Sequence, residues 1–267
     1  IPSLIRDAYS KEKEYNGKDV RYFSFISLYN PREMYERYQP LMDYLSANSP
    51  YRFELKLGKN YRDVVTFLKD GSAHIALLGA TTCIEARKEF NIIPILAPLN
   101  SLGEPTYRTI FITRADNKEI KSLHDLKGKS LALASRLSTS GNLVPLYYLY
   151  KAGVRLSDLS KYINLNYHDT VAREVLKGSY DAGAVIDTVA MGYQEKGLKF
   201  IFISEPIPGL PIVVPSDTAK EFIDTVKNAL LALDSKNLGH KEIIGKWGEE
   251  GGSNGFSEIN TNHCDKV

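Results

Sequence analysis

The chain has 267 residues, and this length predicts one large α/β domain or two lobes. Its composition, 43% hydrophobic and 25% charged, is typical of a globular protein and argues against a disordered chain, a collagen or a coiled coil. The formal net charge is +2, and because basic residues alternate with acidic ones, no basic face of the kind that binds nucleic acid is expected.

Apolar, β-rich runs alternate along the chain with helical patterns. The predicted strands are 20–28, 53–57, 74–78, 92–99, 109–113, 130–134, 163–167, 182–186 and 200–204. The predicted helices are 31–47, 61–69, 81–90, 141–152, 170–177, 188–196 and 218–233. Such alternation is typical of parallel β–α–β sheets, and continuous apolar strands fit burial on both faces. The fold class is therefore predicted to be α/β.

Breaks in the pattern near 115–126 and 206–211 divide the chain into similar β–α halves. A last helix and a glycine-rich tail follow the second break, which predicts that the first half is discontinuous. We expect a first lobe from 1–108 plus 206–267, and a second lobe from 109–205. A ligand cleft would lie between them.

The most informative motif is a run of hydroxyl residues, Ser138, Thr139 and Ser140, between a predicted strand and a helix. The first turn of a helix has unpaired N–H groups and the positive end of the helix dipole. An ordinary helix cap needs only one hydroxyl. Three hydroxyls followed by Gly141 favour an uncharged pocket for an anion.

Other strand-to-helix junctions carry similar side chains, at 58–61, 79–82 and 166–170. In parallel sheets these junctions gather at the carboxyl edge, the usual position of a ligand. They would bring Tyr61, Thr81 and His168 toward the hydroxyl triplet. Taken alone, His168 is more typical of a helix cap or a surface residue than of a ligand contact, but at the same edge as the triplet it is a candidate donor to an oxyanion. The chain contains neither a nucleophile elbow nor a phosphate-binding loop with its lysine.

The cysteines, Cys83 and Cys264, leave two alternatives open. In an oxidising compartment they would form one disulfide, whereas two unpaired thiols fit the sequence at least as well. The neighbours of Cys83 favour a small packed residue over a reactive thiol. The run 263–265 has a ligand-like composition that we attribute to chance, so neither a metal nor a cofactor is predicted.

No apolar run reaches the roughly 20 residues that span a bilayer. The longest, 92–99, is interrupted by Pro94 and Pro98. The sequence begins at Ile1 without an initiator methionine or a signal sequence, as a cleaved or trimmed precursor, or a cloning choice, would.

From about Val20 to its end, the sequence resembles a family of substrate-binding proteins of ABC importers. The landmarks are Tyr38–Leu45 (YQPLMDYL), Asn60–Val65 (NYRDVV), Ile75–Gly79 (IALLG), Tyr107, Asp125–Lys129 (DLKGK), Ser138–Pro145 (STSGNLVP), His168–Asp169 (HD) and Asp181–Val185 (DAGAV). The family takes up phosphonate, phosphite or phosphate. The resemblance implies the two-lobed type II periplasmic binding fold, each lobe a mostly parallel sheet flanked by helices.

By position, the resemblance also assigns roles to individual residues. Ser138, Thr139 and Ser140 match the residues that hold the phosphonate oxygens. Tyr61 and Tyr107 match tyrosines that contact the ligand from the first lobe and the hinge. His168 matches a histidine that donates to the oxyanion from the second lobe.

The family further implies a monomer without a cofactor, with a small oxyanion as ligand and a membrane permease as partner. It implies a periplasmic or other extracytoplasmic location, with lipid anchoring through a removed N-terminal segment as one form of it.

The sequence departs from the aminoalkylphosphonate binders of this family, which place carboxylates against the ligand's ammonium group. This chain has Leu210 at one such position and Thr188 at the other, with Asp187 beside it as a substitute. A buried ammonium without a carboxylate is strongly unfavourable. A small or apolar-tailed ligand is therefore expected. Arg136, two residues before the triplet, is a further candidate for a charge-assisted hydrogen bond to a dianion.

The leading hypothesis is a non-enzymatic binding protein that closes around phosphate, phosphite or a simple phosphonate for import. The same cleft would serve the sensory ectodomain of a membrane receptor. A third hypothesis is an enzyme acting on a phosphorylated substrate, with His168 and either Asp169 or Asp187 as acid and base. In a binding protein, the usual histidine pKa of about 6.5 would let His168 select between singly and doubly ionised ligands.

Overall fold

The computed structural model describes residues 17–247 and 254–266 of the chain. The strands are β1 Asp19–Phe25, β2 Tyr51–Leu57, β3 Ile75–Leu77, β4 Ile92–Pro98, β5 Thr106–Tyr107, β6 Thr109–Arg114, β7 Ser130–Leu133, β8 Lys161–Asn164, β9 Ala182–Ile186, β10 Leu198–Ile203, β11 Ile207–Pro208, β12 Ile212–Pro215 and β13 Phe256–Glu258. The α-helices are α1 Pro31–Ala47, α2 Tyr61–Lys69, α3 Ala80–Glu89, α4 Val144–Lys151, α5 His168–Leu176, α6 Asp187–Gln194, α7 Lys220–Leu231 and α8 Leu238–Trp247. A π-helical turn, Thr139–Leu143, leads directly into α4.

The strands form two main sheets, and each sheet defines a lobe. The first has the order β13-β4-β12-β3-β1-β2, in which β12 and β13 run against the other strands. The second has the order β10-β6-β9-β7-β8, with only β6 reversed. Most strands of each sheet therefore share one direction, and helices flank them, which confirms the predicted α/β class.

A short antiparallel pair, β5 with β11, lies where the chain passes between the two sheets. Ile207 pairs with Tyr107, and Pro208 pairs with Thr106. The chain leaves the first sheet after β4 and returns to it at β12, so this pair is the crossing point. The predicted lobe boundaries, 1–108 plus 206–267 and 109–205, stay a prediction.

Helices α1 and α2 begin and end where the sequence predicts them. The side chain of Asn30 accepts the Glu33 N–H and Pro31 occupies the first turn of α1, a favourable start for a helix. The side chain of Asn60 likewise accepts N–H groups at the start of α2. The strand predicted at 163–167 lies earlier, at β8, and sequence analysis missed β5, β11, β12, β13 and α8.

The core of the first lobe lies between its sheet and α1. The rings of Phe23 and Phe25 stack at a centroid distance of 4.3 Å, and Tyr38 stacks on Phe25 at 4.1 Å. All three are buried. Burial of such large rings fixes the carboxyl end of β1 and the loop that follows it. That loop carries Leu28 to the cleft.

A disulfide joins Cys83, in α3, to Cys264 near the end of the chain, with a Cα–Cα distance of 6.2 Å. The alternative of two unpaired thiols is therefore wrong. His263 also makes a 2.8 Å hydrogen bond from its Nε2 to the carbonyl oxygen of Gly209. The cysteine bond and the histidine thus hold the end of the chain against α3 and the crossing strands. No helix in the described part of the chain has the length and hydropathy needed to cross a membrane.

Candidate functional site

The starts of two helical segments face each other across the cleft between the lobes. The π-helical turn begins at Thr139 in the second lobe, and α3 begins at Ala80 in the first. The Thr81 N–H donates to Thr139 Oγ1 at 3.1 Å, and the Thr81 and Thr139 hydroxyl oxygens are also 3.1 Å apart. The first N–H groups of a helix have no partner within the helix, and they lie at the positive end of its dipole. Their meeting point favours negative charge.

The predicted hydroxyl triplet is buried at this point, and Ser138, Thr139 and Ser140 are each only 2% exposed. Ser138 Oγ accepts the Gly141 N–H at 2.9 Å and so caps the turn. The carbonyl of Ser140 accepts the hydroxyl of Thr109, on β6, at 2.9 Å. The triplet is therefore held in place by its own strand-to-helix junction and by the sheet below it.

His168 lies beneath the triplet and is fully buried. Its Nδ1 accepts the Ile186 N–H at 3.0 Å, and its Nε2 lies 3.0 Å from Ser138 Oγ. Burial lowers the pKa of His168 to about 3, so the ring is neutral at physiological pH. This corrects one expectation, because His168 does not titrate near neutrality. Its contact with the ligand stays a prediction.

Gly141 allows this close arrangement. A Cβ atom at this position would lie 2.3 Å from the Cβ of Ala134 and 2.7 Å from Cε1 of His168. Neither neighbour has room to move, because both are fully buried. Sequence analysis noted this glycine only as the end of the triplet.

The predicted tyrosines contribute hydroxyl groups to the same region. The Tyr61 hydroxyl is buried beside Ser138 and has no hydrogen-bond partner among the described residues. The Tyr107 ring is also buried, with its hydroxyl near the side chains of Thr139 and Ser140. Burial raises the pKa of both tyrosines, so both hydroxyls keep their protons. A buried hydroxyl without a partner is costly, and the contact of Tyr61 with a ligand stays a prediction.

A cavity of about 190 Å³ adjoins Tyr107 and lies between the lobes and the crossing strands. Its walls are largely apolar and include Leu28, Leu99, Met191 and Leu210. The cavity is large enough to hold a few non-hydrogen atoms. Leu210 lines it, at the position where the resemblance would place a carboxylate.

Asp187 also lines this cavity, but backbone groups occupy its carboxylate. One oxygen accepts the Arg108 N–H at 2.8 Å, and the other accepts the Thr188 N–H at 2.8 Å. Burial raises the pKa of Asp187 to about 6, and these N–H groups oppose the rise in part. Asp187 therefore holds the start of α6 to the chain between β5 and β6. Its direct contact with the ligand stays a prediction.

Arg136 does not join the buried cluster. It is exposed in the turn between β7 and the triplet, and its carbonyl accepts the Asn142 side chain at 3.2 Å. The charge-assisted contact expected from Arg136 is therefore not supported by its position.

Further contacts join the lobes around the triplet, and sequence analysis missed them. The His168 N–H donates to the Leu28 carbonyl at 2.9 Å. The Asn30 side chain donates to Asp169 Oδ2 at 3.0 Å, and Arg173 forms an ion pair with the same carboxylate at 3.1 Å. The only sequence signals were the helix cap at Asn30 and the acidic residue after His168. These contacts show the two lobes closed on each other.

The sequence and the fold match a known class of protein. The sequence matches the family of periplasmic substrate-binding proteins of phosphonate ABC transporters over residues 23–263. The chain belongs to this family. Membership implies a small ligand, a membrane permease as partner and an extracytoplasmic location.

Relatives and solved structures agree with the assignment. The phosphate-import protein PhnD of Mycolicibacterium smegmatis is 28% identical over 214 residues, which cover 74% of this chain and 67% of that protein. A binding protein of a Pseudomonas aeruginosa ABC phosphonate transporter superposes with a TM-score of 0.83 at 20% identity, over 92% of this chain and 83% of its own. PhnD1 of Prochlorococcus marinus, in complex with methylphosphonate, gives 0.80 at 21% identity, over 92% and 94%. These structures confirm the two-lobed periplasmic binding fold.

Proposed function

We propose that this protein captures a small phosphorus oxyanion, namely phosphate, phosphite or a simple phosphonate, and presents it to an ABC permease. The observation that carries the proposal is the buried cluster of donors where the π-helical turn meets the start of α3. The hydroxyls of Ser138, Thr139, Ser140, Tyr61 and Tyr107 surround this point. A tetrahedral oxyanion supplies the acceptors that such donors need. The names of the relatives support the same ligand class.

The cavity beside Tyr107 supports a small or uncharged substituent on the phosphorus. Leu210 contributes an apolar wall, and the carboxylate of Asp187 is already held by backbone N–H groups. An ammonium group would have to share the Asp187 carboxylate with these two N–H groups, and no other carboxylate is among the described residues that line the cavity. Phosphite or a short alkylphosphonate fits this environment better than an aminoalkylphosphonate.

The proposed role is non-enzymatic, although Ser138 and His168 form a pair of the kind found in hydrolases. A base must accept the serine proton, and its other nitrogen is usually oriented by a carboxylate. Here the partner of Nδ1 is the Ile186 N–H, so Nδ1 is the unprotonated nitrogen. The lone pair that would accept the Ser138 proton is therefore absent from Nε2. This arrangement supports a binding role over the enzymatic hypothesis.

We further propose an extracytoplasmic monomer that binds no nucleic acid and closes by rotation of lobes 1–108 plus 206–267 and 109–205. The disulfide between Cys83 and Cys264 supports an oxidising compartment. Lipid anchoring through a removed N-terminal segment would keep the protein near its permease.

Calorimetric titration of ligand-stripped protein tests the ligand class. The panel is phosphate, phosphite, methylphosphonate and 2-aminoethylphosphonate, with sulfate as the control anion. We expect tight binding of one or more of the first three and weak or no binding of the amine. Preference for the amine would show that a carboxylate faces the cavity after all. No detectable binding of any of the phosphorus compounds would contradict the proposal.

Replacing the triplet tests the site. The S138A/T139A/S140A variant is expected to lose binding, because the hydroxyl donors disappear while the backbone stays. Its free energy of unfolding should fall by about 1 kcal/mol, the usual cost of one helix cap. The matched control is S122A, which removes the hydroxyl that donates to Asp125 Oδ2 at 3.0 Å elsewhere in the second lobe. The control should bind as wild type does, and a triplet variant that still binds would refute the site.

A further inference from the structure

We propose that His168 fixes the hydroxyl of Ser138 as an obligatory hydrogen-bond donor, so that the cleft selects a doubly ionised tetrahedral ligand over its protonated form. The inference rests on the proposed function and deepens it, since it names the ionic state of the ligand. In this proposal His168 does not titrate, and its proton stays on Nε2.

The first step is the tautomer of His168. The Ile186 N–H donates to Nδ1 at 3.0 Å, and a backbone amide can only donate. Nδ1 therefore carries no proton. In a neutral imidazole the proton then lies on Nε2, which becomes a donor. Nε2 lies 3.0 Å from Ser138 Oγ, so the ring donates to the serine.

The second step is the inventory of Ser138. A hydroxyl has two acceptor positions and one proton. One acceptor position takes the Gly141 N–H at 2.9 Å, and the other takes the Nε2–H of His168. Only the proton remains for Ser138 to donate, and the Tyr61 hydroxyl lies beside this serine. Ser138 has no capacity left to accept a proton from a ligand.

The groups around His168 keep the ring neutral. On its own helix, the carboxylate of Asp169 is engaged by Asn30 and by Arg173 of α5. Asp187, the first residue of α6, is held by backbone N–H groups, and Tyr61 of α2 keeps its proton. None of them is a hydrogen-bond partner of the ring, and complete burial favours its uncharged form.

The backbone next to Ser138 also presents hydrogen-bond donors to the ligand. The N–H groups of Thr139 and Ser140 open the π-helical turn, where amides have no partner within the helix, and they too can only donate. If a protonated ligand oxygen faced these groups, its O–H would point at an N–H or O–H of the protein, and no hydrogen bond would form. A dianion presents only acceptors to these groups. The arrangement therefore rejects the monoanion through unpaired polar groups.

The test compares methylphosphonate with trifluoromethylphosphonate from about pH 5 to about pH 8.5, a range across which phosphate-type ligands lose their second proton. The fluorines withdraw electrons, so the second compound stays doubly ionised throughout. For wild type, the affinity for methylphosphonate should fall about tenfold for each pH unit below the ligand's second pKa, because only the dianion binds. The affinity for the fluorinated ligand should stay level.

The decisive variant is H168N. Asparagine can still accept the Ile186 N–H through its side-chain oxygen, but it is too short to reach Ser138. The serine then regains an acceptor position, and the dependence of methylphosphonate affinity on pH should become shallower. S138A is a second variant that removes the hydroxyl and should flatten the dependence in the same way, which keeps the test decisive if H168N does not fold.

Y107F is the matched control, because the Tyr107 hydroxyl lies near Thr139 and Ser140 and is not among the contacts of Ser138. It should weaken binding by a similar factor at every pH and leave the slope unchanged. A wild-type affinity that ignores the ligand's second ionisation would overturn the inference. So would an equal decline for both ligands, which would show that the protein itself titrates, or slopes in H168N and S138A that match wild type. Failure of wild type to bind either phosphonate at about pH 8 would instead overturn the proposed function.

Discussion

At the scale of single residues, side chains that we propose to bind the ligand also stabilise the fold. Ser138 caps a helical turn with its oxygen and has its proton left for the cleft. His168 does not titrate near neutral pH, because burial lowers its pKa to about 3. Its proposed role is to donate one hydrogen bond to Ser138. Such residues tolerate little change, since each atom already has a partner.

Gly141 gives the clearest prediction at this scale. In G141A, the new Cβ would overlap Ala134 and the His168 ring, at 2.3 and 2.7 Å. We expect the free energy of unfolding to fall by about 1–3 kcal/mol and phosphonate binding to be lost, as the ring moves away from Ser138. Urea unfolding and calorimetry measure the two effects.

The control is G245A, in helix α8, where a Cβ would meet no atom within 4 Å. It should leave binding unchanged and raise stability by about 0.5–1 kcal/mol, because alanine favours a helix interior over glycine. A G141A variant as stable and as active as G245A would contradict the packing argument.

At the scale of elements, the starts of helices lie at the cleft, and the start of α1 also contacts the other lobe. Asn30 caps α1 by accepting the Glu33 N–H at 3.2 Å, while its amide donates to Asp169 at the start of α5 in the other lobe. The same side chain therefore stabilises a helix and the closed form. These two contributions are separable, because serine is as good a cap as asparagine but lacks the amide.

We predict that N30S and N30A divide these roles. N30S should keep the stability of wild type, whereas N30A should lose about 1 kcal/mol because its helix is uncapped. Both should bind the ligand a few-fold more weakly, since the closed form has lost a contact. Thermal unfolding and calorimetric titration distinguish the outcomes. Wild-type affinity in both variants would show that the Asp169 contact does not favour closure.

At the scale of the whole molecule, the C-terminal segment, residues 254–266, ties together parts that form the cleft. Its strand β13 pairs with β4, and Cys264 is bonded to Cys83 in α3, whose first turn carries Thr81. His263 holds the Gly209 carbonyl beside the crossing strands. The disulfide closes a loop across a sequence separation of 181 residues, which greatly restricts the unfolded chain.

The C83S/C264S variant should therefore be less stable than wild type by about 2–4 kcal/mol in denaturant unfolding. Reductant should lower wild type toward the same value and leave the variant unchanged. Ligand should still raise the midpoint of both proteins by mass action. A variant as stable as oxidised wild type would show that packing alone holds the segment in place.

The sequence by itself determined the α/β class, most helices and the hydroxyl triplet. These follow from contacts within about four residues, as in the caps at Asn30 and Asn60, and from the burial of apolar strands. Such signals can be seen before the chain folds. Short strands such as β12 and β13 were not predicted, because three or four residues are too few to show the hydropathy pattern of a strand. In addition, β12 directly follows a proline-rich break.

Only the tertiary structure decided what the polar residues do. His168 is fixed by Ile186 and Ser138, 18 and 30 residues away, and Asp187 by the Arg108 N–H, 79 residues away. Arg136 was left in solvent, and Cys83 met Cys264. The protonation and hydrogen-bond partners of a side chain depend on its burial and on neighbours that folding brings together. Because these neighbours are far apart in the sequence, no local pattern predicts them.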